Sequence, residues 1–183
     1  KYIKKECFRS CSKLKVISLP DSVIVLEAGT FRECTLLQNF TSGNQIDTYP
    51  DYLFVNCYNT TSFTLRKNIK SIGMYCFYNN ISLSSFPSVT AEEIKTGAFQ
   101  GCQSINNISL NYKLGYLADY LFRECRILRN FTFAHPLGNQ FDIYDKNEPD
   151  ERGSYTSIGQ YTFFSVALTR FTISPFTKTI GDY

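Results

Sequence analysis

The side chains best suited to chemistry in this 183-residue sequence are seven cysteines and one histidine. Zinc sites need Cys or His ligands in close pairs, separated by about two to four residues, with a second pair nearby. Cys7 and Cys11 stand four apart with no second pair, and Cys34, Cys57, Cys76, Cys102 and Cys125 follow at intervals of 19 to 26 residues. No metal site is expected from that spacing. His135 is the lone imidazole, so Cys–His or Ser–His catalysis has at most one base to draw on. The sequence has no Gly-rich phosphate loop and no nucleophile elbow. These absences predict a protein that is not an enzyme and takes no cofactor.

Two further groups carry chemical potential. N-glycosylation sequons occur at Asn39, Asn59, Asn80, Asn107 and Asn130, and Asn59 is the most plausible acceptor if the protein is secreted by a eukaryote. Residues 138–157 form a polar segment carrying Asp142, Asp145, Glu148 and Arg152 around Pro149 and Gly153. The spacing of Asp142, Asp145 and Asn147 does not match an EF-hand loop. A protruding loop is expected here, and it is the candidate for individual specificity.

An internal repeat positions these residues. Phe8, Phe31, Phe54, Phe77, Phe99, Phe122 and Phe163 are separated by 23, 23, 23, 22, 23 and 41 residues. The last interval is one period of 23 plus an 18-residue insertion. Three residues after each Phe stand Cys11, Cys34, Cys57, Asn80, Cys102, Cys125 and Val166, a mostly apolar column. The repeat thus accounts for five cysteines, and Cys7 and Cys76 share the position just before the Phe. Free, buried thiols acting as small hydrophobes are expected, with no disulfide.

Nine and eleven residues after the anchors come Ile17 and Leu19, Phe63 and Leu65, Ile108 and Leu110, Phe131 and Phe133, alternating with polar residues. That alternation predicts one short strand per repeat, and Gly just before several anchors predicts a turn into a single helical turn. A 23-residue unit cannot enclose a core by itself. Stacked units merge their apolar columns and pair their strands in parallel. The outward strand positions then form two columns, drawn from Asn39, Thr41, Ser62, Thr64, Asn107, Ser109, Asn130 and Thr132, all uncharged hydrogen-bonding residues. Such a surface suits protein binding, although any solvent-facing sheet also tolerates these residues.

Leu-x-x-Ile-x-Leu-Pro-x-Ser-Val at Leu14–Val23, followed in later units by Ile-Gly-x-x-x-Phe with Cys three after the Phe, resembles the BspA type of leucine-rich repeat. The resemblance implies an α/β-type but mostly β solenoid, a right-handed superhelix of about seven 23-residue repeats with a parallel concave sheet. It spans residues 1–183 as one domain with an insertion at 138–157. It also implies a cell-surface or secreted adhesin that binds host matrix proteins or other cells; the alternative is an intracellular interaction scaffold.

Composition sets the outer bounds. A net charge of +3 gives no concentrated basic face for nucleic acid. No apolar run reaches the ~20 residues of a membrane span. The chain opens at Lys1 and both ends cut through a repeat, so an excised piece of a longer array is expected.

Overall fold

The computed structural model describes residues 1–111, 114–134, 157–169, 171 and 178–182. Two strands recur in most of the repeats rather than the one expected. The first set is Val16–Ser18 (β2), Asn39–Thr41 (β4), Ser62–Thr64 (β6), Asn107–Asn111 (β9) and Asn130–Ala134 (β11). The second is Tyr2–Ile3 (β1), Val25–Leu26 (β3), Thr48–Tyr49 (β5), Asn68–Ile72 (β7), Thr90–Ile94 (β8), Tyr116–Leu117 (β10), Ser157–Ile158 (β12) and Thr179–Ile180 (β13). All pairing is parallel. The result is a β-solenoid of about six turns with two walls of strands.

The first wall keeps strict repeat register, with Ile17, Phe40 and Phe63 aligned and Ile108 opposite Phe131. Its pairing is interrupted at the fourth repeat, where only an isolated bridge joins Ser85 to Asn107. Pro87 occupies the strand position there and has no N–H for a ladder. The second wall aligns Leu26 with Ile3, Ile72 with Tyr49 and Ile94, and Ile158 with Leu117 and Ile180.

Each anchor sits at the centre of a tight arch, and no helix occurs among the described residues, so the expected helical turn and the α/β label are corrected. Residues two before and two after every anchor Phe adopt positive φ, as at Tyr52 (60°) and Asn56 (60°) around Phe54. A left-handed residue disfavours continuation of a right-handed helix, and two of them four apart close the arch instead. Successive arches are joined by the backbone: Phe31 N–H donates to Leu53 O at 3.0 Å, Phe54 to Cys76 O at 2.8 Å and Phe99 to Leu121 O at 3.1 Å.

The core is a spine of phenylalanines. Phe8, Phe31, Phe54, Phe77, Phe99, Phe122 and Phe163 stack ring on ring at centroid distances of 5.4–5.8 Å. Burying each ring stabilises by about 1.5–3 kcal/mol. Phe40, Phe63, Phe86 and Phe131 from the first wall meet the spine edge-on or tilted at 4.7–5.6 Å. Five anchors are fully buried, whereas Phe8 and Phe163 are half-buried. Phe8 stacks on one neighbouring anchor only.

The cysteine column has a polar task that its spacing did not reveal. The thiols of Cys34, Cys57, Cys102 and Cys125 point at the carbonyls of Phe8, Phe31, Phe77 and Phe99 at 3.1–3.2 Å, one hydrogen bond per turn. Asn80 substitutes for Cys in the same role and donates to Phe54 O at 2.8 Å. Its Oδ1 is left buried without a partner. All seven cysteines are free; five are buried, but Cys11 is half-buried and Cys7 exposed, a correction to the expectation of buried thiols throughout.

Candidate functional site

The outward residues of the first wall fall into two rows because side chains alternate along a strand. Asn39, Ser62, Asn107 and Asn130 are exposed in one row, with Val16 and Ser85 completing it. Thr41, Ser62's neighbour Thr64, Ser109 and Thr132 form the other, with Thr41 and Ser109 half-buried. The structure therefore brings all eight expected residues onto one face, in two runs separated by the gap at the fourth repeat. No charged residue interrupts either row. Within the second run Asn130 Nδ2 donates to the Asn107 side-chain oxygen, so neighbouring amides orient one another.

The backbone beneath is fixed. Phe40 and Phe63, which alternate with the outward residues, are 1% and 4% exposed and lie against the spine. The surface is thus a preformed array of amides and hydroxyls on a rigid support. It can donate and accept hydrogen bonds at a repeat near 4.8 Å, the spacing of paired strands. The array contains no general base, and no group of metal ligands occurs among the described residues.

Other expected positions are dispersed. Asn59 is exposed, and its Nδ2 donates to Thr35 O at 2.7 Å. Asn80 is fully buried in the column, where a glycan has no room. Asp142, Asp145, Glu148, Arg152 and His135 lie outside the described residues. No helix among the described residues is long and apolar enough to cross a membrane.

The five buried thiols are held in the protonated form by their surroundings. Burial raises the Cys34 thiol to about 11 and the Cys125 thiol to about 12, and pushes Cys57, Cys76 and Cys102 up as well. A thiol with a raised pKa and no access to solvent is a poor nucleophile.

One concavity was missed by reasoning from the repeat columns. On the arches, Tyr52 and Tyr75 stack at 5.9 Å and Tyr78 meets Tyr75 edge-on at 5.7 Å. With Arg32, Val55 and Gln100 they line a groove of about 330 Å³. The signal was present in the recurrence of Tyr two before the anchors at Tyr52, Tyr75, Tyr120 and Tyr161. Farther along, the Arg123 guanidinium lies over the rings of Tyr120, Tyr161 and Phe164 at 5.4–5.7 Å.

Comparison with known proteins bears on this geometry. The family model described as the BspA type leucine rich repeat region matches in six copies over residues 1–126 and 85–183. No curated protein matches the sequence. Three solved structures share the fold. A leucine-rich repeat protein of T. pallidum is 26% identical with a TM-score of 0.66, over 72% of this chain and 65% of that one. A leucine-rich repeat protein of Bacteroides ovatus is 20% identical with a TM-score of 0.63, over 98% and 48%. A leucine rich cell surface protein of Faecalibacterium prausnitzii is 22% identical with a TM-score of 0.61, over 99% and 38%. The chain spans less than two thirds of each of these proteins.

Proposed function

The chain belongs to the BspA-type leucine-rich repeat family, and we propose that it is a non-enzymatic protein-binding scaffold that acts at the cell surface or after secretion, as an adhesin for host matrix proteins or other cells. The single observation that carries this reading is the pair of uncharged polar rows on the first wall, supported from below by the buried Phe spine. A surface whose backbone is already ordered loses little entropy on binding, which favours modest contacts summed over a wide area. The partner contacts are assigned to Asn39, Thr41, Ser62, Thr64, Asn107, Ser109, Asn130 and Thr132. Choice among partners is assigned to the loop at 138–157, with Asp142, Asp145, Glu148 and Arg152, because repeated columns look alike from turn to turn. The cell-surface description of the F. prausnitzii protein supports the surface reading.

The experiment is a solid-phase binding assay against a panel of purified matrix proteins. Replacing Asn39, Asn107 and Asn130 by Ala is expected to weaken binding while leaving the unfolding transition in place. Deleting residues 138–157 is expected to change which panel member is bound. Undiminished binding by both variants would move the partner site off this wall.

A further inference from the structure

The second wall is held together by one recurring bond. Four residues before each anchor, a backbone N–H donates to the carbonyl one position earlier in the preceding repeat. Glu27 bonds Ile3 at 3.0 Å, Gly73 bonds Tyr49 at 2.7 Å, Lys95 bonds Ile72 at 2.9 Å, Gly159 bonds Leu117 at 2.7 Å and Gly181 bonds Ile158 at 2.8 Å. Two junctions break the series, for different reasons. At the first, the donor position is Pro50, which has no N–H, and β3 and β5 are unpaired. At the second, Ala118 has the N–H and Ile94 the carbonyl, yet the bond is not made and β8 and β10 are unpaired.

The opening is local. Just beyond it Gly97 N–H reaches Asp119 O at 2.9 Å and Phe99 N–H reaches Leu121 O at 3.1 Å, so the two repeats are in contact at the arch and part toward the strands. A cleft of about 360 Å³ lies between them, lined by Glu92, Glu93, Ile94, Lys95, Tyr116 and Ala118 among others. That volume is within the range of ligand sites, which begin at roughly 300 Å³. Ala118 N–H donates to no backbone carbonyl among the described residues.

We propose that this split is a docking site for an extended peptide that inserts as a parallel strand between β8 and β10. The peptide's carbonyl accepts from Ala118 N–H and its N–H donates to Ile94 O, restoring the bonds that the other junctions make. Adding a strand at unpaired sheet edges is an established mode of peptide recognition, with backbone bonds giving affinity and side-chain positions giving selectivity. The selectivity here follows from alternation. Inward peptide residues meet Ile94, Leu114 and Ala118, the apolar residues that line the cleft, and must be apolar. Outward residues fall between Glu93 and Tyr116, with Glu92 beside them; these three are exposed, and a carboxylate and a tyrosine ring together favour Lys or Arg. Lys95 Nζ lies 3.8 Å from Glu93, a weak exposed pair that an incoming cation displaces. The ligand is therefore a peptide alternating basic and apolar residues, and the site is separate from the polar rows of the first wall.

The probe is a capped Lys-Val-Lys-Val-Lys-Val peptide, titrated into the protein by calorimetry alongside a Glu-Val-Glu-Val-Glu-Val peptide and a version of the basic probe N-methylated at every second amide. Saturable binding of the basic probe, with loss of at least tenfold in affinity for the other two, is expected. The protein variant is Ala118→Pro, which removes the donor; Pro50 at the equivalent position shows that the fold accepts proline there. It is expected to weaken the basic probe at least tenfold with an unchanged circular dichroism spectrum, whereas Asn107→Ala with Asn130→Ala leaves probe binding unaltered. Absence of saturable binding, or equal binding by the N-methylated probe and by Ala118→Pro, overturns the proposal. Loss on the Asn107/Asn130 variant instead would return the peptide to the first wall.

Discussion

Replacing Phe77 by Ala tests the spine where it is most fully engaged. The ring is completely buried and stacks on Phe54 at 5.6 Å and Phe99 at 5.4 Å, while Phe63 and Phe86 approach edge-on at 4.8 and 5.1 Å. Truncating a buried Phe costs about 3–5 kcal/mol through lost transfer energy and the cavity left behind. Four aromatic neighbours, each worth about 0.5–1.5 kcal/mol beyond area alone, place Phe77→Ala in the upper half of that range, at about 4–5 kcal/mol. Phe8 provides the internal control, since it is half-buried and has one stacking partner; Phe8→Ala should cost about 1–2 kcal/mol. In a solenoid each turn contacts only its neighbours, so the central substitution should also broaden the transition or split it. The assay is urea denaturation followed by far-ultraviolet circular dichroism. A Phe77→Ala cost below about 1 kcal/mol, or a cost equal to that of Phe8→Ala, would refute the stacked-spine reasoning.

Further outcomes follow from the same packing. Asn80→Cys puts back the thiol found at the equivalent position in five other repeats and removes the orphaned Oδ1; it should raise stability by about 1 kcal/mol in the same titration, since a buried unsatisfied polar atom costs about 1–3 kcal/mol. Gly73→Ala would press a Cβ against Asp51 N and the Pro50 carbonyl carbon, whereas Gly43→Ala would press one against Pro20 O; each should lose at least about 2 kcal/mol through overpacking against backbone. The buried thiols predict loss of stability at high pH. Their folded values lie above the ordinary 9.0, at about 11 for Cys34 and about 12 for Cys125, so the unfolded chain releases those protons first. Stability is then full below pH ~9 and falls as pH rises through the folded values. Midpoints measured from pH 7 to 11 check the sign, and a midpoint that rises across that window would contradict it. In native protein an aromatic disulfide reagent should react first with exposed Cys7, and unfolding without reductant should bring the count to all seven.

Much of the core was legible in the sequence because a strict period places like residues in like environments. Phe31 through Phe122 could be assigned to one buried column before any strand was drawn. Strands of the second wall were harder to see, since pairs such as Val25–Leu26 and Thr48–Tyr49 are too short to display alternation. The arches misled for a different reason: left-handed backbone falls mostly on Glu33, Tyr52, Asn56 and similar residues rather than on glycine, so local composition suggested a helical turn. The eight outward residues were legible from alternation once the strands were in register. The Tyr52–Tyr75 groove was not legible, because a recurring tyrosine in a repeat reads first as core. The split beside Ala118 had only an indirect trace, the shortened fourth interval of 22 residues, and the missing bond is a property of packing that no single residue encodes.

The central claim is that the partner lies across the polar rows of the first wall. A photo-reactive amino acid placed singly at Ser62, Asn107, Thr48, Thr179 or Tyr52, followed by irradiation with a bound matrix protein, tests it most directly. Cross-links are expected from Ser62 and Asn107, with none from the outward second-wall positions Thr48 and Thr179 or from Tyr52 on the arch. Cross-links confined to Thr48, Thr179 or Tyr52 would contradict it.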